Sequence, residues 1–233
     1  MMKQFLFFIF LIGFASASVA KDCNIKPKLG SKNFIIGYGS LMERDSRIST
    51  NPAAYRVEPV MIKGFQRIWG HNGKNYKTTF LTIIEKQDAQ VNAIFYPLSI
   101  QGLQKLDERE TSYCRVKVDT NNLNFYGRNV NVKAYNANFW VYAANPARLQ
   151  EPSESHPIAQ SYVDIFLNGC MQIQQEYKIE TFAKDCVETT SGWSEHWVND
   201  RVHARRPFQL PNAYKIDQLL GKYFNHYYNH KFN

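Results

Sequence analysis

Between residues 33 and 144 the apolar positions fall in short runs, at 34–38, 57–69, 78–85, 91–96, 114–118, 130–135 and 139–144, and each run reads as a strand. One stretch breaks the series. Residues 99–111 carry Leu103 and Leu106 at helical spacing behind a Pro97-Leu98-Ser99 start signal. Past a loop at 145–156 dense in Pro and Glu, the pattern turns helical at 158–171, 176–187 and 214–228. No internal repeat and no regular strand–helix–strand alternation appears. The expected fold is therefore α+β: a mixed, barrel-like sheet core over 33–145, with helices packed against it and a helical C-terminal extension over 156–233.

The first twenty residues follow a different rule. Lys3 precedes an apolar run at 5–14 and a small-residue stretch at 15–20, the layout of a secretory signal peptide, with Ser18 and Ala20 at the −3 and −1 positions. Cleavage after Ala20 would leave 233 − 20 = 213 residues starting at Lys21. Ten apolar residues fall well short of the roughly 20 that a membrane span needs. The charged Lys21-Asp22 before Cys23 is unlike the segment that precedes a lipidated cysteine. An exported protein, periplasmic or secreted, with no stable membrane span after cleavage is the expectation.

Composition narrows the class without naming a function. With 44% hydrophobic and 21% charged residues the chain is globular, neither disordered nor fibrous. Lys plus Arg number 28 against 20 acidic residues, a net +8 that suits an anionic partner and plain solubility equally. Four cysteines, Cys23, Cys114, Cys170 and Cys186, allow two disulfides in three connectivities in an oxidising compartment. Cys170 and Cys186 would lie about 24 Å apart on one continuous helix, so they pair only if that helix breaks. Cys114 is expected to be shielded from solvent, by burial in preference to a bridge, and not to act as a nucleophile. No CxxC pair occurs. His226 and His230 share a helical face without a surrounding HExxH and read as surface or packing residues, so a metal site is not expected.

Two segments carry candidate chemistry. Phe34-Ile35-Ile36-Gly37-Tyr38-Gly39-Ser40-Leu41-Met42 reads as a buried strand running into a glycine turn. Such a turn can aim consecutive N–H groups into one concavity, where they hold a carboxylate or a developing oxyanion. It lacks the GxSxG form, so Ser40 is a poor nucleophile. In the second segment, Glu110 follows Leu106 by four residues and Leu103 by seven, placing a carboxylate on the stripe of the core leucines. Partial burial and the neighbouring Asp107 would raise its pKa, as an acid/base working near neutral pH requires. The alternative is a structural glutamate paired with Arg109 or Arg115.

Together the two segments resemble the γ-glutamylcyclotransferase-like superfamily, through the Tyr-Gly-Ser-Leu loop after the first strand and Leu-Asp-x-Arg-Glu some seventy residues later, with a tyrosine beyond. Gly64-Phe65-Gln66-Arg67-Ile68-Trp69 is similar to the family's second strand. The resemblance covers roughly 33–144. It implies a γ-glutamylcyclotransferase-like fold, with the backbone of Tyr38, Gly39, Ser40 and Leu41 receiving the γ-glutamyl group and Glu110 as the acid/base. It also implies a small γ-glutamyl peptide or amine as substrate and 5-oxoproline as product, with no cofactor. Strand alternation would set Tyr113 and Arg115 on one face to hold the substrate carboxylate, the alternative for Tyr113 being core packing. A noncatalytic module of the same fold that binds a small anion, a peptide or a partner protein is the competing class. The Trp193, Trp197, Arg205 and Arg206 cluster lies outside the family pattern and reads as tryptophans anchoring the C-terminal segment on the core, with no nucleic-acid partner.

Overall fold

The computed structural model describes residues 23–28, 30–73, 76–110, 113–128, 130, 137–206 and 212–224. The expected leader at 1–20, nearly all of the strand expected over 130–135, and His226 and His230 lie outside the described residues. In chain order the elements are β1 (Lys32–Gly37), α1 (Arg44–Thr50), β2 (Glu58–Gly73), β3 (Thr78–Leu98), α2 (Ile100–Arg109), β4 (Cys114–Val118), β5 (Leu123–Asn124), β6 (Ala137–Ala143), β7 (Ile158–Ala159), α3 (Gln160–Tyr177), α4 (Phe182–Glu188), β8 (Thr190–Ser191), β9 (Trp197–Val198) and α5 (Ala213–Tyr223).

The sheet runs β4-β6-β1-β3-β2-β5, with β8 added beside β2. It is mixed: β1 is antiparallel to β3 and parallel to β6. The runs expected at 78–85 and 91–96 are one strand, β3, because its pairing with β2 resumes across a register shift between Lys63 and Phe65. A second shift follows between Trp69 and His71. Irregularities of this kind bend long paired strands and increase their twist.

Burial explains the curl. On one face Ile36, Ile62, Ile83, Phe95, Val116, Phe139 and Val141 pack together in a cluster to which every member but Phe125 comes from a strand. Among the described residues no helix contributes to that cluster, so its apolar side chains leave water by the sheet closing on itself into a half-barrel. On the other face Ile35, Trp69, Ile94, Tyr96 and Trp140 pack against α2, α3, α4 and α5. Adjacent Ile35 and Ile36 serve opposite clusters, as a strand's two-residue period demands.

α3 is buried almost all round through its first eleven residues. It ends at Lys178, which takes a left-handed conformation at φ 56°, and the chain turns back into α4. That break brings Cys170 and Cys186 within 6.5 Å, Cα to Cα, and they form a disulfide. The second disulfide joins Cys23 to Cys114, so Cys114 is protected by a bridge rather than by burial. Its 91-residue separation contributes the larger loop-closure term, on the order of 4 to 5 kcal/mol against about 3 for the shorter loop. The C-terminal segment is continuous with the core. β8 joins the sheet, and Trp193 stacks on Trp197 at 5.4 Å and meets Trp69 at 5.2 Å.

Candidate active site

The glycine turn leaves β1 and closes one turn of 3-10 helix over Ser40–Met42, in which Met42 N–H bonds the Gly39 carbonyl at 3.0 Å. Two buried arginines hold its carbonyls. Arg67 donates from Nη1 to the Tyr38 carbonyl at 2.8 Å, and Arg47 donates to the carbonyls of Leu41 and Met42 at 3.0 and 2.9 Å. In a planar trans peptide the N–H points opposite to the C=O. With the Tyr38 carbonyl committed to Arg67 and those of Gly39 and Ser40 to the turn, the N–H groups of Gly39, Ser40 and Leu41 face the other way. These residues line a cavity of about 940 Å³.

Gly39 has φ −122°, so its turn does not depend on left-handed backbone. The constraint is space: a Cβ there would stand 3.0 Å from the Tyr162 hydroxyl, which itself meets Ser40 and the backbone of Leu81.

Glu110 reaches the same cavity from α2. Ser99 caps that helix by accepting from Gly102 N–H, and the buried Leu103 and Leu106 seat it on the core. Glu110 is its C-cap residue, its N–H bonding the Leu106 carbonyl at 2.8 Å. Its side chain is 24% exposed and lies 3.4 Å from Arg109 Nε. Burial holds the carboxyl above its ordinary range, and the Arg109 charge offsets only part of that shift. Asp107, expected to contribute, does not. Its carboxylate is spent on Arg115, with bonds of 2.8 and 3.1 Å, and on the Tyr142 hydroxyl at 2.7 Å.

Tyrosines close the walls. Tyr38 donates from its hydroxyl to the Tyr142 carbonyl at 2.7 Å, and burial followed by the Glu110 charge pushes its pKa up. Tyr113 tilts against His71 at 4.6 Å, its phenol likewise raised by burial, while burial lowers His71. These phenols stay neutral, and so serve as donors in an aromatic wall.

The expected residues Tyr38, Gly39, Ser40, Leu41, Glu110 and Tyr113 therefore converge on one cavity. Arg115 does not. It is 2% exposed, chelated by Asp107, stacked over Trp140 at 4.5 Å and bonded to the Ile25 carbonyl. The alternation that paired it with Tyr113 fails because β4 begins at Cys114, one residue too late to carry Tyr113. Arg115 braces the last turn of α2 behind Glu110 and is not among the residues that line the cavity. The local pattern gave no notice of His71, Tyr142 or Tyr162 and placed Arg206 in the C-terminal cluster as solvated or paired; all four line the cavity, from β2, β6, α3 and the segment after β9. Arg67 stood in the recognised 64–69 strand without any sign of its role. Among the described residues no group of three His, Cys, Asp or Glu side chains is arranged to hold a metal ion.

A curled mixed sheet with a glycine turn and one carboxylate facing it across an aromatic cavity defines the class of protein. The chain belongs to the family described as Gamma-glutamyl cyclotransferase, AIG2-like, whose pattern matches residues 35–162, over half of its 233 residues. No curated protein matches it. Among solved structures it is similar to a Gamma-glutamyl cyclotransferase at 13% identity and TM-score 0.50, covering 82% of this chain and 99% of that one. It is similar too to the uncharacterized protein loc79017 of Homo sapiens at 14% identity and TM-score 0.50, covering 70% of this chain and 92% of the other. At those identities the likeness is one of fold.

Proposed function

We propose that the protein is an enzyme that cyclises the γ-glutamyl group of a γ-glutamyl peptide or amine to 5-oxoproline and releases the amine. The observation that carries this reading is Glu110, the one carboxylate among the described residues of the cavity that the Gly39 turn lines, its pKa raised by burial. The substrate's own α-nitrogen is the nucleophile, so the reaction needs no protein nucleophile. That nitrogen forms a bond to the γ-carbonyl carbon, and the γ-amide C–N bond breaks. The α-ammonium loses two protons, the leaving nitrogen gains two, and the Glu110 carboxyl relays them. The N–H groups of Gly39, Ser40 and Leu41 stabilise the oxyanion or hold the substrate carboxylate, while the Tyr113 phenol donates from the wall and Tyr38, its own hydroxyl spent on the Tyr142 carbonyl, shapes it. Holding amine and carbonyl together supplies much of the acceleration.

Incubation of the purified protein with γ-glutamyl peptides and amines, with chromatographic detection of 5-oxoproline, tests the reading. Binding without release of 5-oxoproline would replace it with a noncatalytic module of this fold. Export belongs to the same proposal: a signal peptide removed after Ala20 delivers a chain whose two disulfides, Cys23–Cys114 and Cys170–Cys186, suit an oxidising compartment. No helix of the described residues is long and apolar enough to cross a membrane. Terminal sequencing of the protein isolated from its own cell should read Lys21 first.

A further inference from the structure

The family pattern ends at residue 162, yet the cavity wall does not. Arg206 lines it from 44 residues beyond that limit. Its backbone is held in place by a small clamp: Arg206 N–H donates to Ser161 Oγ at 3.1 Å, Ser161 Oγ donates to Asp200 at 2.7 Å, and Arg205 N–H donates to Asp200 at 2.8 Å. Arg201 pins the same segment by bonding both Asp164 and Asp217. The guanidinium of Arg206 lies over Tyr76 at 5.5 Å and Phe80 at 5.9 Å, and among the described residues no carboxylate pairs with it. Phe80 packs edge-on against Tyr162 at 4.9 Å, and Tyr162 touches the Gly39 turn. A half-buried cation without an acid partner thus stands one aromatic layer away from the turn, on the side formed by the C-terminal extension.

The charges of the cavity make this a ligand site. Among the described residues its lining holds Arg109, Arg148 and Arg206 against Glu110 alone, and Arg109 is engaged with Glu110 and with Thr50. The 940 Å³ volume is at the upper end for small-molecule sites and leaves room beyond a glutamyl group for a sizeable leaving group. We infer that Arg206 binds a carboxylate on the leaving group, so that the preferred substrates are γ-glutamyl amino acids or peptides with a free C-terminal carboxylate rather than γ-glutamyl amines. The inference rests on the cyclotransferase reading and adds to it the class of leaving group. A guanidinium fixed by aromatic faces loses little freedom when it takes up a carboxylate in a two-pronged bond, which suits it to this task.

The test compares γ-glutamyl-alanine with γ-glutamyl-ethylamine, whose leaving amines differ by the carboxylate alone. Turnover is measured on the wild type, Arg206→Gln and Arg206→Lys. Binding is measured by calorimetry on the same three sequences carrying Glu110→Gln, and melting curves confirm folding. The expected result is a kcat/KM preference for γ-glutamyl-alanine that falls at least tenfold in Arg206→Gln, chiefly through KM, and recovers in part in Arg206→Lys. A preference unchanged by Arg206→Gln in turnover and in binding overturns the inference. Absence of 5-oxoproline from either compound, with an Arg206-dependent preference in binding, overturns the cyclotransferase reading and upholds the carboxylate site. Failure of both compounds to bind overturns both.

Discussion

At Gly169 the long buried helix α3 touches the backbone of the turn that carries the site. A methyl group there would stand 2.3 Å from Glu43 N and 2.4 Å from the Met42 carbonyl carbon. Comfortable contact lies near 3.5 Å, so in Gly169→Ala the helix and the 40–43 segment must part by about 1 Å. Neither retreats alone. Glu43 accepts from Ser46 N–H at 2.7 Å and from Gln172 Nε2 at 2.9 Å, and Gln172 accepts from Arg44 N–H at 2.9 Å, so the start of α1 is latched to α3 a turn beyond Gly169. Overpacking of this kind costs about 1 to 3 kcal/mol, against about 1 kcal/mol that Ala contributes over Gly in a helix interior. The expected net effect is destabilisation and a Tm lower by a few degrees. Activity is the sharper readout, because displacing the Gly39–Leu41 turn by about 1 Å from Glu110 lowers kcat/KM by on the order of a hundredfold. Gly221→Ala in α5 is the control: nothing lies within 4 Å of its Cβ, so there the helical gain stands alone and Tm should rise. Both variants are assayed by 5-oxoproline release and thermal unfolding. Wild-type turnover and wild-type Tm in Gly169→Ala would show that α3 does not set the position of the turn.

Glu110→Gln should lower turnover by about a hundredfold or more, since the amide fills the space but cannot relay the proton. The same change should raise stability at neutral pH: a carboxyl whose folded pKa lies above its unfolded value contributes stability below the unfolded pKa and loses it as pH rises through the folded one. Melting curves at pH 4 and pH 8 check the sign, and a variant less stable than wild type at pH 8 would contradict the burial of Glu110. Arg67→Leu should destabilise by about 4 kcal/mol or more, seen in denaturant unfolding, because it strips donors from the carbonyls of Tyr38, Asn92 and Cys186 and from Thr189 and Thr190 in the core. Burial of Arg67 is costly enough to lower its pKa to about 9, so its many bonds are what keep the charge inside. Arg115→Leu should lower Tm while KM stays within about twofold; a large rise in KM without loss of stability would return Arg115 to the substrate.

Local periodicity carried a good part of this protein. The alternation over 34–38 marked β1, the spacing of Leu103 and Leu106 marked α2 and its buried face, and the turn of that helix brought Glu110 round to the core side. Each of these depends on neighbours within a few residues, where the backbone geometry of strand or helix converts sequence spacing directly into a face. The short helix α1 left no comparable trace, since Arg44–Thr50 is largely polar and its buried Arg47 looks in sequence like any surface arginine.

What tertiary structure decided was partnership. Spacing left Asp107 free to act on Glu110, but the fold gave it to Arg115, eight residues along and across the α2–β4 junction. The polar stretch after Glu85 read as the end of a strand, and pairing with β2 lapses over 86–89, but it resumes at Gln90, so β3 runs on past it. Which cysteines join depended on the break at Lys178 and on the N-terminal segment lying along β4, where Asn24 N–H reaches the Arg115 carbonyl. Arg206 came to line the same cavity as the Tyr38 turn, more than 160 positions away, only because α3 and its clamp carry the extension back over it. The sequence by itself determined which faces are apolar and where Glu110 and the glycine turn stand along the chain. The pairing of charges, of cysteines and of the extension with the cavity belonged to the packing of distant segments, whose geometry no local period encodes.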